Sequence, residues 1–335
     1  MSKIGSAVVA VAGIDVSAAE LTVAASREGQ LRGKHSFENT SEGRRKLLSW
    51  LKTLGQTIRV CLEATGIYSL DVSLLLSREG VEVMVLNPRV SADYAKARMQ
   101  RSKTDAADAE VLLDYVMRMP FVRWVPPAPE RLELRAMLRR IGALKRMIVE
   151  EKNRLAAAEA SEEATDLIRN DVAVSIRHLE RRIEQMDRQA TALVRSHQDL
   201  LHCYELLRTI SGIGHVTALQ LTAELLMLPA DMSARQLVAH AGLDPRRHES
   251  GSSVHKPPRI SKAGNRYIRA ALFLPAFAAI RHDLYVRAFY DRLIARGKKP
   301  IQATVAVMRK LLHAIHGVLS SNTPFDSTRF TRLAA

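Results

Sequence analysis

The chain has 335 residues and carries 50 Lys and Arg against 35 Asp and Glu, a formal net charge of +15. That length exceeds one simple core and calls for two or three domains. Its two cysteines, Cys61 and Cys203, lie far apart with no Cys or His neighbour at zinc-ligand spacing, which excludes a disulfide framework or zinc site and fits a reducing cytoplasm. No segment reads as a membrane span. The apolar stretch Ala7 to Ile14 runs straight into Asp15, and Ala270 to Ile280 holds Pro275 between Arg269 and Arg281. From Leu201 onward there are 19 basic and 8 acidic residues, so the positive charge concentrates in the last third and points to a polyanion, most simply nucleic acid.

In chain order, Val8 to Val16 reads as a buried strand ending Gly13-Ile14-Asp15. Leu21 to Ala25 and Lys34 to Phe37 flank the turn Arg27-Glu28-Gly29-Gln30, as in a meander. Asn39-Thr40-Ser41-Glu42 opens a helix through Leu51, and a second buried strand, Thr57 to Leu62, delivers Glu63 just before Ala64-Thr65-Gly66. A helix over Ser69 to Arg78 and a strand over Val81 to Leu86 follow. Then comes Lys103-Thr104-Asp105-Ala106-Ala107-Asp108-Ala109, in which Thr104 caps a helix with two carboxylates in its first turn. This order implies a mixed sheet flanked by helices. Asp15 and Glu63 fall at the carboxyl ends of core strands, where open α/β sheets place their sites, and Asp105 and Asp108 approach from a packed helix. Four carboxylates in one crevice repel unless cations neutralise them. Hard divalent ions, Mg2+ or Mn2+, take such oxygen ligands and promote phosphoryl transfer, the architecture of a ribonuclease-H-like domain. Actin-like ATPases and sugar kinases also begin with a strand ending Gly-Ile-Asp, but Val16-Ser17-Ala18 replaces their Gly-Thr phosphate loop.

Pro126-Pro127-Ala128-Pro129 marks a break. Beyond it Val172, Ile176, Leu179, Ile183, Met186, Ala190 and Leu193 recur at spacings of four and three, a heptad seam. A weaker seam runs through Leu134, Leu138, Ile141, Ile148 and Leu155, with Lys145 and Lys152 at core-type positions. A long helical hairpin or an intermolecular coiled coil is expected. Gly212-Ile213-Gly214 between two helical segments has the pattern of a helix-hairpin-helix, whose glycines let backbone amides approach a phosphate. Gly242-Leu243-Asp244-Pro245-Arg246-Arg247-His248-Glu249-Ser250-Gly251-Ser252-Ser253 reads as a phosphate-gripping loop. Ser261-Lys262-Ala263-Gly264-Asn265-Arg266 then leads into another helix.

Taken together and in order, these motifs resemble the DEDD transposases of insertion sequence family 110. Those proteins are relatives of the Piv-type DNA invertases and are described as bridge-RNA-guided recombinases. The resemblance implies a RuvC-like metal-binding domain over 1–125, a coiled-coil linker over 126–202, and a mainly α-helical transposase domain with a helix-hairpin-helix over 203–335. It makes Asp15, Glu63, Asp105 and Asp108 the metal-binding tetrad, with Mg2+ or Mn2+, and Ser250 the nucleophile. From the residues themselves, Gly212, Gly214, Arg246, Arg247, Lys262 and Arg266 are the expected nucleic-acid contacts. Donor and target DNA and a noncoding bridge RNA are the implied partners of a homo-oligomer, a dimer that forms a tetramer in the synaptic complex. The implied setting is the bacterial cytoplasm, at the nucleoid. None of the five catalytic positions departs from the pattern, although Ser211 stands where relatives often have proline. A RuvC-like nuclease using metal-activated water is the alternative expectation; it needs the acids but not Ser250.

Overall fold

The computed structural model describes residues 9–99, 104–250 and 254–332, and the chain divides into two compact units, Met1–Pro126 and Pro127–Ala335. In the first unit β1 (Val9–Val16), β2 (Glu20–Arg27) and β3 (Gln30–Glu38) form a meander, followed by α1 (Ser41–Leu54), β4 (Thr57–Glu63), α2 (Ile67–Arg78), β5 (Glu82–Leu86), α3 (Pro88–Ala97) and α4 (Asp105–Arg118). The sheet order is β3-β2-β1-β4-β5; β1 is antiparallel to β2 and parallel to β4, and β4 is parallel to β5. The mixed sheet inferred from the chain order is therefore present, with β1 at its centre. β3 runs longer than its pattern predicts, because the β2–β3 turn is tight. Glu28 and Gly29 both take positive φ there, 55° and 78°, the geometry that matches strand twist in short hairpins.

Alternation along β1 sorts side chains between two faces. Ala10, Ala12, Ile14 and Val16 join Val60, Leu62 and the apolar sides of α1 and α2 in one core. On the opposite face Val11, Cys61 and Met84 meet Ala109, Leu112, Leu113 and Val116 of α4. Trp124 closes the unit: it packs against the first of these cores, and its backbone N donates to Val83 O at 2.6 Å.

The second unit opens with α5 (Pro129–Glu159) and α6 (Asp166–Ser196), which fold back on one another through a short turn where Arg169 donates to Ala158 O and Ser161 O. Ile176, Leu179 and Ala190 of the α6 seam are buried, and Val172, Ile183, Met186 and Leu193 are half-buried. On α5 the buried positions are Leu134, Leu138, Ile141 and Leu144, whereas Lys145 and Lys152 are exposed. The buried stripe steps three residues from Ile141 to Leu144 where the heptad would step four to Lys145, so both lysines stay outside the core. At its base the hairpin shares a core with α7 (Gln198–Arg208) and α8 (His215–Leu225) through Leu200, Leu219 and Ala223.

Next come α9 (Ala234–His240), a β6 (Pro245–Ser250) and β7 (Val254–Ile260) ribbon, α10 (Arg266–Ala271), α11 (Phe273–His282), α12 (Leu284–Ala295), α13 (Pro300–Ser321) and α14 (Arg329–Arg332). The Pro245–Ser250 stretch, read from sequence as loop, is a strand paired antiparallel with Val254–Ile260. Pro257 and Pro258 argue against a sheet interior, but an isolated two-stranded ribbon is all edge and tolerates them. Among the described residues no helix is long and apolar enough to cross a membrane.

Candidate active site

Asp15 owes its position to the strand register. The parallel pairing of β1 with β4 ends at Ile14–Leu62, so Asp15 and Glu63 are the next residues on neighbouring strands and share a face. It is the face covered by α4, since Gly13 and Cys61, two residues earlier on each strand, lie under that helix. Gly13 is required there. A Cβ on it would stand 2.2 Å from Leu113 N and 2.3 Å from Ala109 O, so the missing side chain lets the backbone of α4 lie directly on β1. Gly13-Ile14-Asp15 thus divides three tasks: close helix approach, core filling on the opposite face, and a carboxylate near the carboxyl end of the central strand.

Helix α4 brings the other two acids. Thr104 is its N-cap, with Oγ1 accepting from Ala107 N at 3.2 Å, and Asp105 and Asp108 occupy the first turn. Ala109, Leu112 and Val116 face the sheet, and the same helical stripe continued toward the N-terminus carries Asp105 and Asp108 past the last strand residues. Lys34 anchors the helix to β3 through Glu110 at 2.5 Å, and Tyr94 of α3 donates to Asp114 at 2.7 Å. Lys103 lies outside the described residues.

Asp15 interacts electrostatically with each of the other three acids. Burial pushes the Asp15 carboxyl up to about 6, with Asp105, Asp108 and Glu63 adding to the rise in that order. Glu63 is held by Ser91 of α3, whose hydroxyl donates to its Oε2 at 2.6 Å and also lies 3.0 Å from Pro88 O. Sequence reasoning passed over Ser91; the Asn87-Pro88 helix start, four residues before it, was the available signal. Close by in sequence, Thr65 has a buried hydroxyl with no partner among the described residues. Four oxygen-bearing acids with uncompensated charge suit a hard divalent cation in kind. Among the described residues, however, no three His, Cys, Asp or Glu side chains close around a single point as an ion would require.

The second unit presents the other candidate residues. Ser250 ends β6 and pairs with Val254 across residues 251–253, which lie outside the described residues, as do the side chains of Arg247 and Ser250. The ribbon is fixed at its base: the Ser261 hydroxyl donates to Asp244, Ser261 N to Asp244 O at 2.9 Å, and Lys262 N to Gly242 O at 3.0 Å. Gly242 and Gly264 make this possible. Both take positive φ, 67° and 110°, and a Cβ on Gly264 would lie 2.1 Å from His240 O. Lys262 itself is left-handed, with φ 51°, and exposed. Arg246 and Arg259 are both exposed and directly opposite in the ladder, an arrangement of like charges that is unfavourable without an anion between them.

At the glycine hairpin between α7 and α8, the two glycines differ in role. A Cβ on Gly212 would meet Pro275 O at 2.3 Å, so this glycine, φ 88°, lets the loop pack on α11. Gly214 caps α8 and has open space where a Cβ would be. Ser211 donates to Asp283 at 2.7 Å and so ties the loop to the start of α12.

Residues 12–158 match a family model described as the transposase DEDD_Tnp_IS110, and residues 204–291 match the model of the transposase IS116/IS110/IS902 family. The chain is 31% identical over 296 residues to the pilin gene-inverting protein of Moraxella bovis, covering 87% of this chain and 90% of that one. It is 26% identical over 340 residues to the putative transposase y4pF/y4sB of Sinorhizobium fredii, covering 88% and 82%. It is 28% identical over 164 residues to the transposase for insertion sequence element IS1111A of Coxiella burnetii, covering 47% and 40%.

Proposed function

The chain belongs to the IS110 family of transposases, a DNA-recombining enzyme, and from that premise we propose that it joins DNA strands through a serine–phosphate intermediate. On this reading the first unit is a ribonuclease-H-like, RuvC-like domain, and Asp15, Glu63, Asp105 and Asp108 hold Mg2+ or Mn2+. A cation held there would supply Lewis acidity to a scissile phosphodiester. The observation that carries the reading is Asp15: its carboxyl is driven up by burial and by three other acids near the carboxyl end of the central strand. Ser91 keeps Glu63 aimed at the same place.

Ser250, the last residue of β6, is the proposed nucleophile. Its Oγ bonds to phosphorus, the bond from phosphorus to a deoxyribose oxygen breaks, and the serine proton ends on the released DNA hydroxyl. Attack by a different DNA hydroxyl restores the serine and leaves exchanged strands. One ester replaces another at each step, so no external energy source is consumed. Arg246, Arg247, Lys262 and Arg266 supply positive charge in this part of the sequence suited to the phosphate backbone, and Gly214 leaves the start of α8 open to a phosphate. Donor and target DNA are the substrates, and a noncoding bridge RNA selects them. The acids of one protomer face the serine of another in a dimer or a synaptic tetramer.

The test is covalent trapping on DNA. Wild type with Mg2+ yields a protein–DNA adduct, whereas Ser250→Ala and Asp105→Ala yield none. Strand cleavage persisting in Ser250→Ala while lost in Asp105→Ala would replace the serine mechanism with a water-using nuclease.

A further inference from the structure

The Ser-Lys-Ala-Gly-Asn segment ends at a junction with α5 and α8 that holds more positive charge than its internal pairing accounts for. Glu224 of α8 is only 4% exposed. It accepts from Arg139 Nε at 2.8 Å and Nη2 at 3.0 Å, and from Asn265 Nδ2 at 2.7 Å. Asn265 in turn caps α10, its Oδ1 accepting from Tyr267 N at 2.8 Å and Ile268 N at 3.2 Å, and its own N donates to His240 O at 2.6 Å. Two guanidinium groups lie against one ring, Arg139 at 4.4 Å and Arg266 at 5.1 Å from the centre of Tyr267.

Arg135, one turn before Arg139 on α5, is the unexplained member. It is half-buried and interacts electrostatically with both Arg139 and Glu224, yet among the described residues it makes no hydrogen bond or ion pair. Among the described residues Arg266 has no carboxylate partner either, and its guanidinium donates to the Tyr267 hydroxyl at 3.3 Å. Two half-buried guanidiniums, those of Arg135 and Arg139, therefore share one buried carboxylate, and that of the exposed Arg266 lies against the same Tyr267 ring as Arg139. Partly buried charges of one sign are costly unless an opposite charge joins them. Planar guanidinium forks match the oxygens of a phosphate, and an aromatic ring between them holds their planes in place.

We propose that Arg135, Arg139, Arg266 and Tyr267 form a cradle for a nucleic-acid phosphate, with Glu224 as the fixed counter-charge that aims Arg139. The inference rests on the recombinase reading and adds to it a binding site on the base of the long helical hairpin, joined through Asn265 to the segment that anchors the serine ribbon.

The test uses the full chain and two probes, a duplex DNA of arbitrary sequence and an RNA hairpin of matched length, with affinity measured over a range of salt. Arg135→Gln and Arg266→Gln are each expected to weaken binding to at least one probe by roughly five- to tenfold at ~0.1 M salt, and to lower the slope of log affinity against log salt by about one. Which probe loses affinity identifies the nucleic acid that occupies the cradle. The melting midpoint of Arg135→Gln should hold or rise, since the change relieves a like-charge contact. A purely structural arginine would instead lower the midpoint and leave the slope unchanged, and that result overturns the cradle. So does unchanged affinity in both variants for both probes. Adduct formation by wild type is read separately, so the cradle can fail while the recombinase reading stands.

Discussion

Single side chains show where this protein gives up stability for chemistry. Asp15 lies partly buried among three other acids near the carboxyl end of the central strand. Replacing it with asparagine removes repulsion without changing shape, so Asp15→Asn is expected to melt higher than wild type in metal-free buffer at neutral pH while forming no DNA adduct. Calorimetry alongside the trapping assay checks both halves. Adding Mg2+ should raise the wild-type midpoint and leave that of Asp15→Asn nearly unchanged. Lys310 of α13 is a second such place. The residue is 6% exposed, and its buried ammonium has no hydrogen-bond partner among the described residues and lies 4.4 Å from the Phe289 ring centre and 4.8 Å from that of Phe330. Burial, then the nearby Arg292, lowers its pKa from 10.5 to about 8. The folded state thus binds fewer protons than the unfolded chain between those values, so this destabilisation is complete below about pH 8 and fades as pH rises toward 10.5. Lys310→Met should therefore raise the melting midpoint at pH 7, with the gain shrinking in melts run at progressively higher pH.

Elements deliver these side chains, and their contacts set how much each position matters. The seating of α4 on β1 depends on a glycine: Gly13→Ala should cost about 1–3 kcal/mol by overpacking and displace Asp105 and Asp108 as well. Denaturant unfolding and adduct yield should then fall together. Removing the cap with Thr104→Ala is milder, about 1 kcal/mol, and tests whether the first turn of α4 must be ordered for activity. In the α5–α6 hairpin the two candidate seams differ by one residue. Leu144 is fully buried and Lys145 exposed, so Leu144→Ala should cost about 2–5 kcal/mol and Lys145→Ala within about 0.5 kcal/mol. Equal effects in denaturant melts would refute the observed seam. The heptad pattern was legible because α6 follows it; on α5 it misassigned the lysines because the buried stripe steps three residues, from Ile141 to Leu144.

For the molecule as a whole, each unit has its own core, and the extended stretch between them carries Val122 and Val125 at 71% and 77% exposure. Limited proteolysis of the intact chain should nick near Pro126 and leave two fragments that stay folded by circular dichroism; rapid loss of either would contradict separate cores. Much of this was readable in advance. Strand-end acids, the Thr104 cap, the meander and the proline break are local signals, set by periodicity and by backbone chemistry over a few residues. Other features depend on partners distant in sequence. Ser91 reaches Glu63 across 28 positions, Arg139 reaches Glu224 across 85, and Gly212 packs on the backbone of Pro275. The Arg246 segment became a strand only because Arg259 and its neighbours arrived to pair with it. The amino-acid order alone thus determined which residues are acidic, basic, apolar or turn-forming, and hence the kind of chemistry expected. Only the folded chain decided which of them meet, because contact energy and desolvation depend on distance in space and leave no periodic mark along the chain.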